Sequence, residues 1–170
     1  MNRTVIKKQP NSHMCFVCGL DNAFGLKARF FEIEGRELVG LFTPSEEHQG
    51  YPGRLHGGIA STILDETVGR AVLIDNPDSW WVTVELSVRF RKPIPLNETI
   101  RVVGRITGSR GRIYEGNGEI LLPDGNPGVT AIAKYFLQPI ADITGSIDFA
   151  DEMWEVVRED SDPMEIGFPR

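Results

Sequence analysis

The stretch that decides the fold is Leu55-His56-Gly57-Gly58-Ile59-Ala60-Ser61-Thr62-Ile63-Leu64-Asp65-Glu66. A Pro/Gly-rich loop, Tyr51-Pro52-Gly53-Arg54, leads into it and opens the longest helical pattern in the sequence. Ile59, Ala60, Ile63, Leu64, Val68, Ala71 and Val72 recur at three- and four-residue spacing, which predicts a helix from about Gly58 to Ile74 with one buried stripe. Asn76-Pro77-Asp78 ends it, because proline disfavours helical geometry in the residue before it. A helix that only filled a core would need neither two glycines at its start nor a carboxylate two turns later.

Strand patterns flank this helix. Leu26 to Ile33 and Glu37 to Thr43 read as two strands around the turn Glu34-Gly35-Arg36. After the helix, Trp80 to Lys92 alternates cleanly, with Val82, Val84, Leu86, Val88 and Phe90 on one face and Thr83, Glu85, Ser87, Arg89 and Arg91 on the other. Thr99 to Thr107, Ile113 to Leu122 and Val129 to Leu137 follow, joined by Gly108-Ser109-Arg110-Gly111 and by the loop Pro123 to Gly128. Gly116 and Gly118 mark a bulge or a close backbone approach. One long helix and about six strands, four of them consecutive, predict an α+β fold with the helix on one face of an antiparallel sheet.

The totals narrow the function classes. A length of 170 residues suits one domain with a short appendage. A net charge of −6 argues against nucleic acid as the main partner. No apolar run approaches the ~18 residues of a membrane span, and the first residues lack a signal-peptide core, so the expected compartment is the cytoplasm. Residues 140–170 hold nine acidic and two basic side chains, whereas residues 1–139 hold fifteen and sixteen. The protein therefore divides into a body, 1–139, and an acidic extension, 140–170. Phe149, Met153, Trp154, Val156 and Val157 after Asp148 predict a short amphipathic helix there, with disorder at the last residues. The polar segment Met1 to Asn11 reads as frayed.

Cys15 and Cys18 form a lone C-x-x-C. It is half of a tetrahedral zinc site, with His13 as a third candidate, or a redox pair without a thioredoxin-like βαβ setting, or two small apolar residues closing a turn. The last reading is preferred, and neither a metal nor an organic cofactor is assigned.

Chemistry concentrates at the helix. Its leading amides have no intrahelical acceptor, and glycines at 57 and 58 let an oxygen approach them, the construction of an oxyanion hole; the plain alternative is a tight turn. Asp65 falls at the margin of the apolar stripe, in a lane with Gly58, Ser61 and Gly69, where a carboxylate has space in front of it. Gly57 and Asp65 are ~12 Å apart along one helix axis. One carbonyl cannot touch both, so if both serve one reaction, Asp65 of one subunit meets Gly57 of another, and the protein is a dimer.

His56-Gly57-Gly58-(six residues)-Asp65 resembles the signature of hotdog-fold acyl-CoA thioesterases of the PaaI-like branch. Cys15-Phe16-Val17-Cys18-Gly19 with Asn22, Gly25 and Leu26, the run Val82 to Phe90, and Lys92-Pro93-Ile94-Pro95-Leu96 are similar to other parts of that family, over residues 15 to 137. The resemblance implies a long helix wrapped by an antiparallel sheet, and a dimer (or dimer of dimers) joined edge to edge with its sites between subunits. It implies that the Gly57 amide holds the thioester oxygen, that Asp65 attacks the carbonyl or activates a water, and that His56 bonds at the thioester or steadies the loop. Thr83 matches a hydroxyl that places the water or the aspartate, yet strict alternation points it away from the helix, so a bulge, a twist or a reach across the dimer edge is required. Gly58, Arg89, Arg91 and Lys92 are assigned to substrate binding, with Arg110 and Arg112 as further candidate phosphate anchors. Trp80, Trp81 and Tyr51 are candidates for the acyl pocket. The competing readings are a non-catalytic acyl-CoA-binding or regulatory module and a hotdog dehydratase or hydratase, whose motifs do not match.

Overall fold

The computed structural model describes residues 1–145 and 154–168. Eight antiparallel strands form one sheet: β1 (Asn2–Lys8), β2 (Arg29–Ile33), β3 (Glu37–Phe42), β4 (Trp81–Phe90), β5 (Ile100–Arg110), β6 (Ile113–Leu121), β7 (Pro127–Leu137) and β8 (Glu165–Gly167), in the order β4-β7-β6-β5-β3-β2-β1-β8. Helix α1 (Gly57–Arg70) crosses one face, continues as a 3-10 turn over Ala71–Ile74, and buries Ile63 and Leu64 against Phe30, Leu38, Val102 and Ile120, and Val68 against Ala133 and Tyr135. A short helix, α2 (Ile140–Thr144), follows β7. This is the α+β arrangement expected, with more strands. No helix among the described residues is long and apolar enough to cross a membrane.

Glycines set how closely α1 lies on the sheet. Gly104 of β5 pairs with Gly118 of β6. A Cβ at Gly104 would lie 2.6 Å from the Thr67 carbonyl oxygen, and one at Gly116 or Gly118 would lie 2.6 Å from a Val68 methyl. The close-approach alternative for Gly116 and Gly118 is therefore the one realised.

Four expectations need correction. The first eleven residues are not frayed: β1 pairs with β2 and β8. The C-terminal end is likewise ordered as far as it is described, because β8 docks on β1 and Ile166 joins Phe31, Ile33, Val39 and Val103 in a second apolar cluster on the sheet face away from α1. That cover explains why β2 is buried on both faces from Phe30 to Ile33, Glu32 included. The β5–β6 turn sits at Gly111-Arg112 rather than at 108–111, since Gly111 takes the positive φ of 60° and β5 runs on to Arg110 after a bulge near Gly108. The anticipated tail helix falls partly outside the described residues, at Asp148, Phe149 and Met153. Trp154 to Val157 are not helical: Glu155 bridges to Asn11, and the Trp154 ring lies 5.1 Å from that of Trp80.

Candidate active site

The loop before α1 is held at both ends, His56 N–H bonding to the His48 carbonyl at 2.9 Å and Leu55 N–H to the Ile94 carbonyl at 3.0 Å. His56 is the N-cap, and its Nδ1 accepts from Gly58 N–H at 2.9 Å. With Nδ1 as acceptor, the neutral ring carries its proton on Nε2, so His56 presents a donor outward. The two glycines are thus not equivalent. Gly58 spends its amide on the cap. Gly57 N–H, the first of the helix, has no hydrogen-bond partner among the described residues. It borders a cavity of about 350 Å³ lined by Leu55, Ala60, Phe90, Ile94 and the basic side chains Arg91 and Lys92. Phe90 stands 3.3 Å from where a Gly57 Cβ would be, so the ring lies in the space a side chain at residue 57 would enter.

Two turns later Asp65 is half-buried and receives two hydroxyls. Thr83 Oγ1 donates at 2.9 Å to one carboxylate oxygen and lies 3.1 Å from the other. Tyr135 OH donates to the Asp65 backbone carbonyl at 2.8 Å and reaches Oδ1 at 3.4 Å. Burial raises the Asp65 carboxyl above the ordinary Asp range, and adjacent Glu66 adds to this, while the bonds from Thr83 and Tyr135 pull it back. The result is a carboxylate short of water yet oriented from two sides.

Thr83 reaches Asp65 because β4 is bulged. Its pairing with β7 slips between Thr83 and Glu85, so the parity of the strand reverses at Val84. Before the bulge, Trp81 and Thr83 face α1; after it, Leu86, Val88 and Phe90 do. Clean alternation is therefore wrong for the first half of the strand, and Val84 is 60% exposed. Trp81 fills the lane: a Cβ at Gly69 would lie 2.3 Å from its indole nitrogen.

Two residues at this site escape sequence reading. Tyr135 is hard to single out among alternating residues of β7, although it is the one hydroxyl-bearing aromatic on the inward face there. Arg70, at the end of α1, is completely buried. Its Nε bonds Glu66 at 2.6 Å, so Glu66 is an ion-pair partner and not a solvated neighbour of Asp65. The i, i+4 spacing of Glu66 and Arg70 was the available signal.

The basic candidates separate. Arg91 and Lys92 border the Gly57 cavity. Arg89 lies on the opposite sheet face with Ser87, Arg105 and Ile132. Arg112 bonds the Leu137 carbonyl at 2.7 Å and stacks over Phe136, and Arg110 ends β5. Tyr51 borders the Gly57 cavity, whereas Trp80 turns to the tail. A larger cavity of about 820 Å³, lined by Phe16, Phe24, Leu41, His48 and Ile59, touches neither Gly57 nor Asp65. His13 pairs with Asp21 and takes no part in the cysteine cluster.

Residues 52–128, which carry α1 and the strands β4 to β6, match the family model described as Thioesterase superfamily. The acyl-coenzyme A thioesterase THEM4 of Mus musculus is 28% identical over 107 residues, 62% of this chain and 45% of that protein, so this chain spans less than half of that relative. A thioesterase superfamily protein of known crystal structure superposes with a TM-score of 0.67 at 27% identity, over 73% of this chain and 60% of that one. A hypothetical thioesterase of Streptococcus pneumoniae, solved with coenzyme A, shares the fold at a TM-score of 0.56 and 20% identity, over 60% of this chain and 81% of that one. The helix-on-sheet architecture agrees with these neighbours: the protein has the hotdog fold, and its residues 52–128 resemble the thioesterase superfamily.

Proposed function

We propose that this protein hydrolyses an acyl-CoA thioester to the free acid and coenzyme A, in a site built from two copies of the polypeptide. The observation that carries the reading is the pairing of a desolvated, doubly hydrogen-bonded carboxylate at Asp65 with an unused helix-terminal amide at Gly57. The amide is an oxyanion donor and the carboxylate a base or nucleophile, which suffices for a substrate whose thiolate leaves readily. His56 Nε2–H is the candidate second donor, and Thr83 keeps the carboxylate aimed. Arg91 and Lys92 beside the cavity suit the phosphates of coenzyme A, the ligand of the Streptococcus structure, and mouse THEM4 is named for the same reaction.

Sharing between subunits follows from length: eight residues of helix separate the two groups by ~12 Å. β4 is an end strand, paired on one side only with β7, and its free edge lies next to Thr83 and Asp65. A second β4 docked there brings a second α1 alongside.

The test uses two variants. Asp65→Asn removes the carboxylate, and Gly57→Pro removes the N–H at a helix position where proline is tolerated, with Gly57→Ala, which keeps the N–H, as the control for carbon added beside Phe90. Asp65→Asn and Gly57→Pro are each expected to be inactive on a panel of short, long and aromatic acyl-CoAs read by thiol release, and co-expressed hybrids are expected to regain activity, since one site in a hybrid is intact. Hybrids without activity would refute the shared site. Wild-type protein that binds acyl-CoA without turnover would refute hydrolysis and favour the binding module. In single-turnover hydrolysis in ¹⁸O-water, an unlabelled acid product with label in Asp65 identifies direct attack followed by cleavage of the anhydride at the Asp65 carbon. Residence in the cytoplasm is part of the same proposal, checked by cell fractionation.

A further inference from the structure

Cys15-Phe16-Val17-Cys18 makes a single turn, closed by Gly19 N–H to the Cys15 carbonyl at 2.8 Å. A Cβ at Gly19 would lie 2.4 Å from that oxygen, so the turn requires glycine after the second cysteine. The turn packs against the C-terminal end of α1. Cys18 is fully buried and Cys15 half-buried. Arg70, completely buried, donates from Nη2 to Cys18 Sγ at 2.9 Å, from Nη1 to the Pro10 carbonyl at 2.9 Å and from Nε to Glu66 at 2.6 Å. Its guanidinium carbon lies 4.5 Å from the Phe30 ring centre and 4.6 Å from that of Trp154. The two sulfurs and a Glu66 oxygen lie within 4.8 Å of one another.

This is more than two small residues closing a turn. A guanidinium stays charged in any interior, and here it is aimed at one sulfur and shielded by two aromatic rings. The hydrogen bond from the Cys15 thiol and the Arg70 charge draw Cys18 below the usual thiol range; the same bond and burial push Cys15 above it. A metal fits poorly: the trio offers three ligands where structural zinc takes four, and two of the three already bond a fixed cation. The i, i+3 spacing within one turn falls in the Cα separation of about 4.4–6.8 Å that disulfides need.

We propose that Cys15 and Cys18 are a reversible dithiol–disulfide pair, in which the half-exposed Cys15 meets a low-molecular-weight disulfide and Cys18, held by Arg70, resolves the adduct. In the first step the Cys18 thiolate takes up the Cys15 proton as the Cys15 sulfur attacks one sulfur of the reagent, whose S–S bond breaks to release a thiolate. In the second, the Cys18 proton passes to that released thiolate, and the Cys18 sulfur attacks the Cys15 sulfur and expels the other half as a thiolate. Two protein sulfurs are oxidised and one reagent disulfide is reduced to a thiol and a thiolate. The product takes the thiolate from Arg70, leaving Glu66 and Pro10 as its acceptors, within the turn of α1 that also carries Asp65.

Full-length protein is equilibrated in glutathione buffers of graded potential, then alkylated and weighed intact. The expected result is joint loss of both thiols with loss of two hydrogens, reversed by dithiothreitol. Cys18→Ser is expected to hold one glutathione on Cys15 and to release it about tenfold more slowly than the wild-type mixed disulfide resolves, while Cys15→Ser stays unmodified because Cys18 is inside. Both wild-type thiols remaining free in the most oxidising buffer would overturn the proposal without reference to the variants. So would a stoichiometric zinc, retained through purification, that blocks both cysteines.

Discussion

Thr83→Val is the most informative single change at this site. It keeps the shape and the β-branched backbone preference and deletes one oxygen. That oxygen donates to Asp65 at 2.9 Å and sits 3.1 Å from the second carboxylate oxygen, so the bond is to a charged acceptor. Such bonds contribute about 1.5–3 kcal/mol, and because Thr83 is exposed to water the lower end applies, about 1.5 kcal/mol. The bond favours the ionised form; without it the Asp65 carboxyl, already raised by burial, rises further. At about 1.36 kcal/mol per unit, the shift is roughly one pH unit. On the proposed mechanism activity requires the carboxylate, so the acidic limb of the kcat/KM profile is expected to move up by about one unit. At the plateau, loss of orientation costs roughly tenfold. Thr83→Ser keeps the donor and is expected to keep the limb in place. The assay is thiol release from the best acyl-CoA across pH. A limb that stays put in the valine variant, or moves as far in the serine variant, would refute the role of the hydroxyl.

Further outcomes follow from the same contacts. Gly104→Ala pushes a methyl against the Thr67 backbone, where nothing flexible can yield, and is expected to cost about 1–3 kcal/mol, lowering Tm by several degrees in a thermal melt. Asp65→Asn is expected to abolish turnover and raise Tm near neutral pH. Because the folded carboxyl is raised, ionised Asp65 costs stability above its folded pKa and not below the unfolded value of 3.8, so the gain from Asn should vanish in acid; a gain independent of pH would contradict the desolvation argument. Arg70→Met leaves Glu66 and Cys18 facing the interior without their cation and is expected to lose about 3–5 kcal/mol by denaturant unfolding, whereas an isolated surface pair such as Lys134–Glu85 should lose under about 1 kcal/mol when Lys134 is replaced by Met.

Much of the architecture was legible in local pattern. The stripe from Ile59 to Val72 predicted α1 to within a few residues, because periodicity at 3.6 residues reflects burial of one face and needs no knowledge of the partner. Gly57 and Asp65 stood out because small and acidic residues on a core helix have a steric and an electrostatic cost that packing alone does not explain. β1 and β8 were not legible: β1 is polar and β8 spans three residues, and β8 exists because the other end of the polypeptide supplies its hydrogen bonds, while β1 sits between β2 and β8.

What the sequence by itself determined is therefore the set of elements with a strong period and the groups that chemistry would use. Tertiary structure alone decided how those groups meet. A bulge at Val84 reversed the parity of β4 and turned Thr83 onto Asp65. A tyrosine seventy residues away completed the aspartate's bonds, and Arg70 settled into the core beside two cysteines from the first strand's connection to the second. The physical reason is common to all three. Periodicity records which face of an element is buried, while a one-residue slip in register, or a contact between segments distant in sequence, leaves no local periodic trace.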